Sequence, residues 1–279
     1  MKQLVILLAA LAALSAQAGT VITTPAKSSP ESISVAPDGS LILSSASSPR
    51  IFRAKPGMAE AETFIDSTAD GNTGFLGVLA DPASNTLWAC QFTRPAGSKN
   101  RQSTLRGYDL ASGASKFRWA LPGDNNLCND FAVGPDGALY VTDTNGGRIF
   151  RVKPGAAEGE LLMEDRLLDG VDGIAFLGGA LYVNNVATNM LYCVRDGKLQ
   201  PIALDLPVNG PDGMRAANGK IFLGENRGGR ADMIEIKGDQ GHVTVLIEGL
   251  GAATAIDPGK DVLWVGDRAN DKALAIPLP

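Results

Sequence analysis

The nine residues Pro49-Arg50-Ile51-Phe52-Arg53-Ala54-Lys55-Pro56-Gly57 return as Gly147-Arg148-Ile149-Phe150-Arg151-Val152-Lys153-Pro154-Gly155, with seven positions identical. The offset of 98 residues is too long for one repeating unit, and it fits two units of about 40–50 residues. Between and beyond these copies a weaker pattern recurs six times. Each instance reads apolar-x-apolar, then a turn rich in Pro, Asp, Asn or Gly, then a short strand, as in Ile33-Ser34-Val35-Ala36-Pro37-Asp38-Gly39-Ser40-Leu41-Ile42-Leu43.

Aligned on the turns, the residue two places before each instance is Glu31, Leu76, Asn129, Asp172, Asp212 and Ala252. The intervals of 45, 53, 43, 40 and 40 residues match the blades of a β-propeller built from four-stranded sheets. Second strands follow each turn, among them Leu87-Trp88-Ala89-Cys90, Leu139-Tyr140-Val141-Thr142, Leu181-Tyr182-Val183-Asn184, Lys220-Ile221-Phe222-Leu223 and Val262-Leu263-Trp264-Val265. They are short, rich in β-branched and aromatic residues, and bounded by turn formers. No segment between them has helical periodicity. Stacked solenoids need shorter and more uniform repeats, so the sequence predicts an all-β, six-bladed β-propeller. The 33 Gly and 16 Pro of the 279 residues suit a chain with many turns. The net charge of −5 lacks the basic patch of a nucleic-acid surface.

Residues 1–18 read as a signal peptide, with Lys2, an apolar run from Leu4 to Leu14, and the cleavage signature Ala16-Gln17-Ala18. The expectation is a periplasmic or secreted propeller over residues 19–279, probing no nucleic acid, monomeric, and without a membrane anchor once the signal is removed. Val21-Ile22-Thr23 is expected to pair into the last blade and close the ring. Three cysteines, Cys90, Cys128 and Cys193, lack the C-x-x-C spacing of a zinc site. Cys90 and Cys193, in strands, read as buried thiols, and a bridge within one pair stays open.

In a propeller the equivalent residues of all blades ring the central channel. Leu76 and Ala252 are apolar, whereas Glu31, Asn129, Asp172 and Asp212 offer oxygen. Converging carboxylates repel each other without a cation, and oxygen-only ligands suit a hard divalent ion, Ca²⁺ foremost, with Mg²⁺, Mn²⁺ and Zn²⁺ as alternatives. The competing explanation is that each residue caps a turn; four oxygen-bearing residues at equivalent points, including a Glu with no turn preference, favour the metal site.

The segments Pro30-Glu31, Cys128-Asn129-Asp130-Phe131, Val171-Asp172-Gly173-Ile174 and Pro211-Asp212-Gly213-Met214 resemble the signature segments of one superfamily. It comprises senescence marker protein (regucalcin), gluconolactonase, luciferin-regenerating enzyme and the diisopropyl fluorophosphatases. The resemblance spans the mature chain. It implies a six-bladed propeller with a catalytic divalent ion, hydrolysing lactones or phosphoesters. It also implies Glu31, Asp172 and Asp212 as metal ligands and Asn129 as ligand or substrate contact. Two departures stand out: Asp172 replaces the family's usual Asn, and Leu127 replaces an Arg that holds sugar lactones. Asp169-Gly170 offers a shifted register for the former. The latter points to an apolar lactone or ester as the small-molecule substrate.

The expected chemistry is polarisation of the substrate oxygen by the ion, with Asp212 as base or nucleophile. The lone histidine, His242, reads as an exposed loop residue, which leaves no histidine relay. A non-catalytic, metal-stabilised binding propeller is the alternative.

Overall fold

The computed structural model describes residues 19–279; residues 1–18, read from the sequence as a signal peptide, lie outside the described residues. Six antiparallel sheets are arranged as the blades of a propeller. Their inner strands are Pro30–Val35, Gly74–Asp81, Cys128–Val133, Val171–Leu177, Pro211–Ala217 and Ala253–Pro258. Successive strands of each blade then step outward in chain order. Blade 5 gains a short fifth strand, Ala203–Leu204, which runs parallel to Gln240–Ile247. Blade 6 is completed from the other end of the chain: Val21–Thr23 forms its outermost strand, with Val21 opposite Leu274 and Ile22 opposite Ala273. This clasp leaves no open blade, as expected from the sequence.

The duplicated nine-residue segment has a local reason. Its Arg-Ile-Phe-Arg core is the third strand in blades 1 and 3, Arg50–Ala54 and Arg148–Val152. Arg53 Nη2 reaches 2.6 Å to Asp38 Oδ2, and Arg151 Nε reaches 2.9 Å to Asp136 Oδ2. Each arginine thus ties down the Pro-Asp-Gly turn of its own blade.

The core is a set of seams between neighbouring blades. Six apolar clusters fill them, one per seam; Phe92 and Leu105 of blade 2, for example, share a cluster with Phe131, Leu139 and Phe150 of blade 3. Inner faces of adjacent sheets interdigitate there, so each blade is stabilised mainly by its two neighbours.

Blade 2 explains the long 53-residue interval. Its middle strands, Thr86–Thr93 and Gln102–Asp109, each have eight residues and are joined by an extended loop at 94–101. Cys90 of that blade is disulfide-bonded to Cys128 at the start of the blade 3 inner strand, with Cα atoms 5.3 Å apart. The reading of Cys90 as a free thiol is thereby corrected: the two cysteines are 38 residues apart in sequence but face each other across one seam. Cys193 is a free, buried thiol. His242 also differs from its reading, lying on the outer strand Gln240–Ile247 of blade 5 with its side chain exposed against Asp205.

Candidate functional site

A bulge near the start of the inner strand places the channel residues. Pro30 pairs with Ser45 and Ile33 with Leu43, so Glu31 and Ser32 together oppose the single residue Ser44. The same interruption sets Asn129 and Asp130 against Thr142, Asp172 and Gly173 against Asn184, and Asp212 and Gly213 against Gly224. An extra residue of this kind bends the strand and re-aims a side chain. Polar partners on the second strand pin three of the bulges. Ser32 N donates to Ser44 Oγ at 2.9 Å, Asp130 N to Thr142 Oγ1 at 2.9 Å, and Gly173 N to Asn184 Oδ1 at 3.0 Å. Gly173 follows Asp172 because a Cβ there would stand 2.4 Å from the Asp212 carbonyl oxygen.

The result is one small cavity at the channel, lined by Glu31, Asn129, Asp172 and Asp212 together with Ser32, Gly77, Asp130, Gly213 and Thr254. Its free space is about 10 Å³, room for one water-sized particle. All four oxygen-bearing residues singled out in the sequence therefore meet. Blade 6 is the exception: Ala253, rather than the Gly251 that precedes Ala252, pairs with the last residue of the second strand, Asp267, so Thr254 and not Ala252 lines the cavity. The register alternative at blade 4 is also settled by placement, since Asp169 is exposed while Asp172 lines the cavity.

Three carboxylates in one buried space perturb each other. Burial, then the charges of Glu31 and Asp130, hold Asp172 well above the usual carboxylate range. Burial, then Asp172 and Glu31, do the same to Asp212. Burial also raises Glu31, while Arg268 and Arg101 counter it. Two of the three carboxylates, Asp172 and Asp212, have protein donors. Asn129 Nδ2 donates to Asp172 Oδ2 at 2.8 Å, and Asn226 Nδ2 and Gly213 N donate to the two oxygens of Asp212 at 3.0 Å each. Arg268 Nη1 lies 2.7 Å from Glu31 Oε2, off the direction of a hydrogen bond, so that buried oxygen has a counter-charge but no hydrogen-bond partner.

Below the cavity the channel is crossed by Arg215, three residues along the strand from Asp212. Its Nη1 donates to both oxygens of Asp130, at 2.9 and 2.8 Å, and its Nη2 donates to the Val78 carbonyl at 3.2 Å. Its Nε lies 3.9 Å from Asp257, whose carboxyl burial pushes up to about 6 and whose Oδ2 accepts from Val35 N at 2.6 Å. One guanidinium thus links blades 2, 3, 5 and 6. Neither Arg215 nor Arg268 is legible in the sequence: neither falls at the repeated position, and their partners are distant in the chain. Leu127, taken from sequence as lining an apolar mouth, is instead buried with Leu76, Phe92 and Leu121 in the seam between blades 2 and 3.

The oxygen-only donor set, the mutual repulsion of its carboxylates and the orphaned Glu31 oxygen suit a hard divalent cation. As arranged, however, no group of three or more His, Cys, Asp or Glu side chains among the described residues is placed to hold a metal ion. Arg268, Asn129 and Asn226 each engage one of the acids instead.

Fold and cavity together define a six-bladed propeller with an acidic channel site. No protein-family model matches the chain, and no curated protein matches it. Among solved structures it is similar to a PQQ-bound aldose sugar dehydrogenase from Streptomyces coelicolor, with 19% identity and a TM-score of 0.67 over 92% of this chain and 97% of that one. A gluconolactonase from Xanthomonas campestris shares 20% identity at a TM-score of 0.66, over 95% of this chain and 88% of its own. A virginiamycin B lyase from Staphylococcus aureus shares 14% identity at 0.65, over 91% and 82%. At these identities the likeness is one of fold, and the three proteins carry three different activities.

Proposed function

We propose that this propeller is a divalent-metal-dependent hydrolase of a lactone or related ester, with Asp212 as base or nucleophile. The observation that carries the reading is the meeting of Glu31, Asp172, Asp212 and Asn129 in one buried channel cavity. The resemblance of their four segments to the gluconolactonase-type superfamily, and the fold likeness to a gluconolactonase, support it. Glu31, Asp172, Asp212 and Asn129 would hold the ion, most simply Ca²⁺. Such an ion supplies neutralisation of the acids and polarisation of a substrate oxygen.

The chain's own groups do the rest. Asn226 and Gly213 fix the rotamer of Asp212, so its carboxylate faces the cavity rather than solvent. Burial makes that carboxylate, once ionised, a stronger base than a free Asp, suited to taking a proton from an attacking water. Asn129 braces Asp172 and is itself held by Thr144, to whose Oγ1 it donates at 2.9 Å. Arg215 and Asp130 close the channel behind the site, so substrate approaches from the loop face alone. Export, read from residues 1–18, agrees with the Cys90–Cys128 disulfide, a bond that persists in oxidising compartments.

The test is a screen of lactones and aryl esters, with added Ca²⁺ and with chelator, on the native protein and Asp212→Asn. The expected result is metal-dependent turnover that falls by about 100-fold or more in Asp212→Asn, the range of general-base assistance. Asp38→Asn, at an exposed Pro-Asp-Gly turn, is the control and should turn over as the native protein does. Equal rates in all three proteins would reduce Asp212 to a turn residue and favour a ligand-binding propeller.

A further inference from the structure

The loops joining second and third strands lie on the face that opens onto the cavity. Residues 144–147 supply Thr144 to Asn129, 226–229 supply Asn226 to Asp212, and 268–271 supply Arg268 to Glu31. Five blades use four-residue loops there, at 46–49, 144–147, 186–189, 226–229 and 268–271, while blade 2 uses eight residues, 94–101. Together with lengthened strands this makes an arm that rises beside the site.

The arm carries Arg94, Lys99 and Arg101 and no acidic residue, in a chain whose net charge is −5. Among the described residues, none of the three forms an ion pair. Arg101 is half-buried, with its guanidinium 5.4 Å from the Phe92 ring centroid. Its charge acts on Glu31, and the charges of Arg94 and Arg268 act on it. Arg268, in the corresponding loop of blade 6, reaches Glu31 with its side chain 34% exposed, and its charge is felt by Glu31, Asp172 and Asp212. Of these cations only Arg268 has an acid partner, Glu31 at 2.7 Å, so the like charges above the cavity repel unless a further anion joins them. The guanidinium fork matches a carboxylate in geometry as well as charge.

We propose that Arg101 and Arg268 form a recognition site for a carboxylate carried by the substrate, beside the ester bond presented to Asp212. The inference rests on the hydrolase reading for the reaction but not for the binding of the anion. It replaces the apolar substrate expected from Leu127: that side chain is buried in a seam, and the groups that overhang the cavity are cationic.

The experiment compares γ-butyrolactone with the same ring bearing a carboxylate, using the native protein, Arg101→Gln and Arg268→Gln. In parallel, calorimetry measures binding of glutarate and of its uncharged diamide to the same three proteins, with thermal melts to confirm folding. The native protein should prefer the charged lactone, and each substitution should lower that preference roughly ten- to a hundredfold, the worth of a hydrogen bond to a charged group. Glutarate affinity should fall by a similar factor, and the diamide should bind to none of the three. Should Arg101-dependent glutarate binding occur without turnover of either lactone, the anion site stands and the hydrolase reading falls. Glutarate binding that ignores both substitutions, or a preference for the neutral lactone shared by all three proteins, would overturn the anion site.

Discussion

Blades 2 and 5 face each other across the channel and, among the described residues, share one hydrogen bond, from the Arg215 guanidinium of blade 5 to the Val78 carbonyl of blade 2. They follow the same strand plan, yet their interiors differ. Blade 2 buries Leu76 in its seam with blade 3, lines the cavity with Gly77 alone, seals that seam with a disulfide and extends a cationic arm. Blade 5 presents Asp212 and Arg215 to the channel and buries Glu225 and Asp232 around Arg230. The repeat constrains the backbone and the seams, leaving the channel position and the connecting loops free to diverge. Blade 5 thus supplies an acid to the cavity, whereas blade 2 supplies covalent reinforcement and a cationic arm.

Breaking the hydrogen bond between them should have the largest effect. Arg215→Met would leave Asp130 and Asp257 facing each other below the cavity without their shared cation. Removing one partner of a buried pair typically destabilises by about 3–5 kcal/mol, which denaturant unfolding would register. Adding Asp130→Asn to Arg215→Met should recover a large part of that loss. Equal stability of Arg215→Met and the native protein would show that the guanidinium is replaceable by packing alone.

How far the sequence reveals this contrast follows from the range of the contacts. Strands and turns are specified within a few residues, so the Pro-Asp-Gly turns and the copies at Arg50–Ala54 and Arg148–Val152 can be read directly. The four oxygen-bearing channel residues are legible because the bulge places each at the same point of its repeat. Arg215 with Asp130 and Arg268 with Glu31 are not, since they are 85 and 237 residues apart and no local pattern marks either arginine. The Thr254 position was missed because blade 6 has a shorter bulge, with Ala255 already opposite Gly266. The disulfide depends on which blades are neighbours, a fact that emerges only after the ring is closed.

On the blade 2 side, reducing or removing the Cys90–Cys128 bond should come next in size. By loop-closure entropy, a loop of 38 residues gives about 3–4 kcal/mol. A Cys90→Ala, Cys128→Ala double variant should lose about this much stability, measured by chemical denaturation. Because Cys128 precedes Asn129, the same variant should also loosen the cavity, visible as faster amide exchange at the start of the blade 3 strand. A change of stability without added exchange there would mean that the bond acts on the unfolded chain alone.

The smallest effect belongs to blade 5, away from the channel. Arg230 lies 2.8 Å from Glu225 and 3.2 Å from Asp232 Oδ1, so two carboxylates share one cation, and that Asp232 oxygen has no hydrogen-bond partner. Burial, then the hydrogen bond and charge of Glu225, push Asp232 up to about 8, with Arg230 countering. In the unfolded chain the same group titrates near 3.9. Between these values the folded protein keeps a proton that the unfolded chain releases, so stability is fully present below about pH 4 and declines as pH rises toward 8. Asp257, held at about 6, contributes to the lower part of that window, so the diagnostic interval is pH 6 to 8. Asp232→Asn keeps a donor toward Glu225 without a titrating proton, and should flatten the decline in melting temperature over that interval. Its advantage over the native protein at pH 8 should be on the order of 1 kcal/mol, the scale of one hydrogen bond. Parallel pH profiles for the two proteins would show that Asp232 is ionised throughout and that Arg230 alone satisfies both acids.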